Sequence, residues 1–307
     1  MNVLIDYLTM TSKIHSERQL LELLGVQDCS FMELPGRYGW LYRLYYRGIS
    51  VLWGGSREDV CLELSGTGCR TVEEFSDNTF DWFRFLQWFE MDIRVGEVNV
   101  SRLDIAGDDL EGILDFRKLV RHGDEGRYIC KAHWKMKTDW AEQCIYFGSS
   151  HSDRRLRIYN KALEQQQEGH WFRVEMQMRD KNAVSFLLNW FREKDIGRCY
   201  GGVLRDFLRF TTTAPDGIHY DRLKVTRWWE KFLGRVESCP QLYVDGGVYT
   251  LWHVHRFLER QAFSSLKLWL EANNGDWEDI IKMVEGAQLN RRQMQLLDRI
   301  QREEVKA

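Results

Sequence analysis

At 307 residues the chain has room for one large or two modest domains, and 44% hydrophobic with 13% aromatic content can build a sizeable core. No apolar run approaches the about 18 residues of a membrane span, and the start MNVLIDYLTMTSK reads as too polar for a secretory leader. Seven cysteines without CxxC spacing point to reduced thiols in a cytoplasm. A net charge of −3 offers no global basic field, so any contact with nucleic acid has to be local.

In chain order, a helical pattern covers 14–25 and strand-like alternation covers 38–65. GTGCR at 66–70 lacks the lysine and following hydroxyl of a phosphate loop and reads as a turn. A helical pattern returns at 73–91, and alternation dominates 97–179. Within it RLDIAGDD (102–109) turns Leu103 and Ile105 to a core and Arg102, Asp104, Ala106 and Asp108 to the other face, because successive strand side chains alternate. RLRIY (155–159) separates Leu156 and Ile158 from Arg155, Arg157 and Tyr159. WFRVEMQMR (171–179) separates Phe172, Val174, Met176 and Met178 from Arg173, Glu175, Gln177 and Arg179. Helical spacing follows at 181–195, and Pro215 and Pro240 mark linkers. TRWWEKFLG (226–234) and 250–300 read as further helices. The expected fold is α+β, a mostly antiparallel sheet flanked by helices with a helical C-terminal region. The expected division is a catalytic domain at 1–215 and a helical region at 216–307 for DNA recognition or pairing of two subunits.

Acids and cations gathered on one sheet face suggest chemistry. Clustered carboxylates repel unless a cation lies among them, and oxygen ligands select hard ions such as Mg²⁺ or Mn²⁺. Tyr159 lies two residues from both Arg157 and Lys161. A free phenol with a pKa near ~10 needs such neighbours before it can act as a nucleophile. Arg157 suits bidentate contact with phosphate and Lys161 suits charge stabilisation. Tyr146 reads as a packing residue and His151 as a surface residue in a turn. Basic residues outnumber acids between 117 and 161 and interleave with Tyr128, Trp134 and Trp140, a composition suited to a strand-binding groove. His253 and His255 lie two apart in a helical pattern, so they point away from each other and are set aside as metal ligands.

Several strings together, IDYLTMTSK (5–13), LELSGTGCRTVEEF (62–75), RLDIAGDD (102–109), IYFGSSHSDRRLRIYNKALEQ (145–165) and WFRVEMQMR (171–179), resemble the Rep_trans replication initiation factors. That family includes rolling-circle plasmid and phage initiators and the MobT-type relaxases of conjugative elements. The resemblance implies metal-dependent nicking of one DNA strand, with covalent attachment to the 5′ end through tyrosine. Carried over by position, it implies Tyr159 as nucleophile with Lys161 and Arg157 beside it. It implies Asp104 and Glu175 as ligands of Mg²⁺ or Mn²⁺, with Asp108 and Glu164 as further candidates. Arg154, Arg155, Arg102 and Arg173 are the expected DNA contacts. The implied partners are origin duplex and single-stranded DNA, a host helicase, and a second copy of the chain. A start at IDYLTMT without a helix-turn-helix favours a plasmid or phage initiator. The alternatives are a MobT-type relaxase, a regulator of the same fold without catalysis, and a simple phosphodiesterase.

Overall fold

Apolar residues in the first strand change phase partway along, and that change shapes the functional face. In β1 (Asn2–Ser12), Val3 and Ile5 face the core, and then Leu8 and Met10 do, so the period of two slips by one residue. Ile5 pairs with Ile105 but Tyr7 with Asp104, leaving Asp6 as the extra residue of a β-bulge. Its partner β6 (Val98–Asp109) makes the complementary slip at Ser101, between the core pairs Val98/Val100 and Leu103/Ile105.

These are central strands of a sheet of ten antiparallel strands, in a computed structural model describing residues 1–76, 78–132, 137–215, 220–239, 251, 254–255, 258, 262–289 and 291–304. The others are β2 (Met32–Pro35), β3 (Trp40–Tyr46), β4 (Ile49–Gly55), β5 (Val60–Leu64), β8 (Lys137–Asp139), β9 (Cys144–Phe147), β10 (Arg154–Asn160) and β11 (Phe172–Arg179). Their order is β2-β3-β4-β5-β1-β6-β11-β10-β9-β8. A separate pair joins β7 (Tyr128–Cys130) to β12 (Leu208–Phe210). The α+β reading with an antiparallel sheet holds.

The apolar face is covered by helices. Before β11 come α1 (Glu17–Leu23), α2 (Gly66–Phe75), α3 (Trp82–Trp88), α4 (Glu90–Val95), α5 (Phe116–Asp124) and the single turn α6 (Lys161–Glu164). After it come α7 (Asp180–Glu193), α8 (Ile196–Phe207) and α9 (Arg227–Glu237). Phe186, Leu187 and Trp190 of α7 join the core formed by Leu103, Ile105, Val174 and Met176. Gly107 matters on this side, because a Cβ there would stand 3.2 Å from the Tyr200 ring of α8. It therefore gives close sheet–helix packing.

GTGCR differs from its expected turn. Ser65 caps α2 by accepting from the Gly68 amide at 3.2 Å, so these residues form the first helical turn. A Cβ on Gly68 would meet the Gly48 carbonyl oxygen at 2.3 Å, which only glycine avoids.

The chain divides into two compact units, Met1–Asp245 and Gly246–Ala307. The expected boundary at Pro215 thus lies within the first unit, since α9 buries Trp229, Phe232, Leu233 and Val236 in the core. The second unit contains α10 (Phe263–Ala272), α11 (Glu278–Gly286) and α12 (Arg291–Glu304). Trp134, Pro240 and His253 lie outside the described residues. All seven cysteines are free thiols. Among the described residues no helix is long and apolar enough to cross a membrane.

Candidate active site

Strand register gathers the polar side chains in rows across β6, β11, β10 and β9. Arg173 pairs with Asp108 on one side and Tyr159 on the other. The next row holds Ala106, Glu175, Arg157 and Tyr146. Directly paired residues share a face, so Tyr159, Arg157, Glu175, Arg173, Asp108 and Asp104 form one surface. The β1 bulge adds Asp6, whose carboxylate accepts from Arg173 Nη1 at 2.8 Å.

Tyr159 lies at the centre, and only 3% of it is exposed. Its hydroxyl donates to Glu175 Oε2 at 3.3 Å. The Arg157 guanidinium lies 3.7 Å above its ring centre, and Lys161 Nζ lies 5.6 Å from the same point. Lys161 reaches it from α6 rather than from an extended strand, because Asn160 caps that turn by accepting from the Leu163 amide. Burial, and then the Glu175 charge, push the Tyr159 phenol far above its ordinary value. The phenolate is therefore disfavoured in the protein alone.

The acids divide by partner. Asp108 is held by Arg173 in bidentate fashion at 2.7 and 2.9 Å. Asp104 takes Arg102 similarly, at 3.0 and 2.5 Å, and burial still raises its carboxyl above the ordinary value. Glu164 accepts from Arg157 at 3.1 Å and from Lys161. Glu175 has the Tyr159 hydroxyl and an Arg157 nitrogen at 3.6 Å. Burial first, and then the Asp6 charge, raise Glu175 to about 7. Burial acts to raise Asp6 as well, but Arg173, Lys161 and Arg70 outweigh it and hold Asp6 below its usual value.

These pairings bear on where a cation would fit. Among the described residues no three acids, histidines or cysteines converge as a metal cluster. Asp108 and Asp104 are each held by two nitrogens of one arginine, and Glu164 by Arg157 and Lys161. Asp6 has one Arg173 nitrogen at 2.8 Å and Glu175 one Arg157 nitrogen at 3.6 Å, so these neighbouring carboxyls are the least engaged, and Glu175 is driven to keep its proton. Mg²⁺ is commonly held by one or two carboxylates plus substrate phosphate, and this pair fits that pattern.

The expected DNA contacts also separate. Arg102 and Arg155 lie on the site face, with their guanidiniums over Tyr7 (3.9 Å) and Tyr146 (4.4 Å). Arg173 is buried between Asp6 and Asp108. Arg154 pairs with Asp206 at 3.0 Å and lies over Phe207. Sequence reasoning missed Asp6, although a lone acid at a phase break in an apolar strand marks it.

The replication initiation factor family profile matches residues 98–284, and that of the rolling circle replication initiation protein N-terminal domain matches 2–88. The chain is 25% identical over 317 residues to "Putative DNA relaxase NicK" of Bacillus subtilis (strain 168), covering 96% of this chain and 88% of that protein. The rolling circle replication initiator protein of Geobacillus stearothermophilus has a similar fold. The TM-score is 0.67 at 23% identity, over 79% of this chain and 98% of that one.

Proposed function

The chain belongs to the replication initiation factor family, and from that premise we propose that it nicks one DNA strand through Tyr159 and starts rolling-circle replication. The observation that carries the reading is the Tyr159 hydroxyl donating to Glu175 under the Arg157 guanidinium. The Tyr159 oxygen attacks phosphorus and the bond to the 3′ oxygen breaks. The phenolic proton passes to Glu175 Oε2, and the departing 3′ oxygen takes a proton from water. The 5′ phosphate stays on Tyr159 as an ester, so the strand can be rejoined by reversal.

Arg157 and Lys161 take up the charge that develops on the phosphoryl oxygens. In the free protein both hold Glu164, which the incoming phosphate displaces. Asp6 and Glu175 would hold Mg²⁺ or Mn²⁺, with Asp104 beside them; when bound, the ion supplies further positive charge to the phosphate. Asp6→Asn and Glu175→Gln should each weaken Mn²⁺ binding in calorimetric titration. Unwinding falls to a partner helicase.

A fluorescent single-stranded library of random sequence, incubated with the protein and Mg²⁺, tests the reading without knowledge of the origin. A denaturant-stable adduct is expected from the wild type and from Tyr146→Phe, and none from Tyr159→Phe. An adduct that survives Tyr159→Phe, or a wild type that forms none, overturns it. A conjugative relaxase would use the same chemistry, and the near full-length similarity to NicK favours that second reading of the biological setting. Nicking at a transfer origin rather than a replication origin distinguishes it.

A further inference from the structure

The face bearing Tyr159 continues across the sheet well beyond it. Register aligns Tyr45, Ser50, Glu63, Thr9 and Arg102 in one row over five strands, β3 to β6. Four tyrosines on this face carry a guanidinium. Arg43 lies 5.0 Å from the Tyr45 ring centre, Arg102 3.9 Å from Tyr7, Arg157 3.7 Å from Tyr159 and Arg155 4.4 Å from Tyr146. Tyr45, Tyr7 and Tyr146 are half-buried, so part of each ring is open.

Such stacks can serve stability alone, but the donors around them are incompletely used. Nε of Arg37, of Arg155 and of Arg157 are buried and have no acceptor. Among the described residues Arg43 and Arg155 have no carboxylate partner; Arg43 is held by the Ser50 hydroxyl at 2.9 and 3.2 Å. Arg37 reaches the same face, donating to Glu63 at 2.6 Å. A guanidinium that no carboxylate neutralises favours an anionic partner. Open ring faces between them call for flat, apolar groups.

We propose that this face, from β3 to β9, is a track for single-stranded DNA, with bases stacked at Tyr45, Tyr7 and Tyr146 and phosphates held by Arg37, Arg43 and Arg155. The inference rests on the nicking reading above and adds the path of its substrate. A base stacks on the ring or on the guanidinium plane, and both surfaces accept any base. Paired bases hide those faces in the duplex, so the track selects the unpaired strand. Tyr45 and Tyr7 stand three strand intervals apart, as do Tyr7 and Tyr159, about 14 Å across the sheet at about 4.8 Å per interval. Register offsets them along the strands by two and four residues, at about 3.3 Å each, so the separations are about 16 and about 20 Å. At a stacked rise of about 3.4 Å per nucleotide, one platform serves about every five or six nucleotides, fewer if the strand is stretched. Tyr146 lies one strand beyond Tyr159, so the scissile phosphate is gripped on both sides.

The test uses the full chain and a fluorescent 20-nucleotide oligothymidylate, with anisotropy read at low salt. Tyr45→Ala and Tyr146→Ala should each lower affinity roughly tenfold, the scale of one lost base stack. Affinity for a blunt duplex of random sequence should stay within about twofold. In the wild type, light-driven crosslinking of a 5-iodouracil oligonucleotide should label peptides containing Tyr7, Tyr45 and Tyr146, which needs no variant to fold. Variants that fold by circular dichroism yet bind like the wild type, or crosslinks confined to other peptides, overturn the track. If the wild type still forms the Tyr159 adduct in that case, the nicking reading survives. A wild type that neither binds the oligonucleotide nor forms an adduct removes both.

Discussion

Glu175 concentrates the site's electrostatic conflict in one carboxyl. Its pKa of about 7 stands above its ordinary 4.5, so the folded protein binds the proton more tightly than the unfolded chain does. The carboxyl therefore favours folding most at low pH, and that contribution fades as pH rises through 7. In metal-free buffer, Glu175→Gln should melt near wild type at pH 5 and several degrees higher at pH 8. The full difference is about 3.5 kcal/mol, the gap between 4.5 and about 7 at about 1.4 kcal/mol per tenfold change in proton affinity. Equal melting points at pH 8 would place the carboxyl in a less hostile setting than its neighbours imply. Glu164 makes the opposite kind of contact, holding the two cations that flank Tyr159. Glu164→Gln should tighten binding of single-stranded DNA by roughly three- to tenfold at low salt, because phosphate no longer competes with a resident carboxylate. Anisotropy titration reads this directly, and weaker binding would instead make Glu164 a direct contributor.

At the scale of elements, the start of α2 and the bulge in β1 are fitted to each other. A Cβ on Gly66 would lie 3.2 Å from the Asp6 carboxylate, whereas one on Gly68 would meet Gly48 backbone at 2.3 Å. The two substitutions should therefore fail differently. Gly68→Ala should lose about 2 kcal/mol or more of stability in urea unfolding, since backbone must move. Gly66→Ala should unfold within about 1 kcal/mol of wild type yet weaken Mn²⁺ binding, because the atom displaced belongs to Asp6. Equal stability losses would show that the Asp6 side chain does not yield.

For the whole molecule, the division between Asp245 and Gly246 sets where the chain can be cut. A fragment of residues 1–245 should fold and keep oligonucleotide binding. A fragment of 1–215 should not, because it lacks α9 and with it Trp229 and Phe232, both fully buried. Each such aromatic is worth about 3–5 kcal/mol in a core, comparable with the total stability of a domain. Circular dichroism melts of the two fragments check this. If 1–245 also keeps its preference for its own origin duplex, recognition lies in the first unit. If the preference is lost, the helices of the second unit carry it.

Much of the site was legible in the sequence because a strand converts spacing into facing. RLDIAGDD, RLRIY and WFRVEMQMR alternate cleanly, so Asp104, Tyr159 and Glu175 could be set on one face without coordinates. Helices α1 and α7 showed the same clarity through their apolar period. Strand β1 did not, because its bulge breaks the alternation that identifies a strand, and Asp6 was lost with it. Helix α8 and the helical start at GTGCR were missed because glycines that permit close packing resemble turn residues in a linear reading. Which acids keep a free oxygen was never in the sequence. Arg173 grips Asp108 with two nitrogens and Asp6 with one, and Arg102 takes Asp104, while Glu175 is left facing Asp6 with only a more distant Arg157 nitrogen. That allocation depends on strand order and register between segments far apart in the chain. The composition supplied a tyrosine, cations and carboxylates, but only tertiary contact decided which carboxylate receives the tyrosine's hydrogen bond.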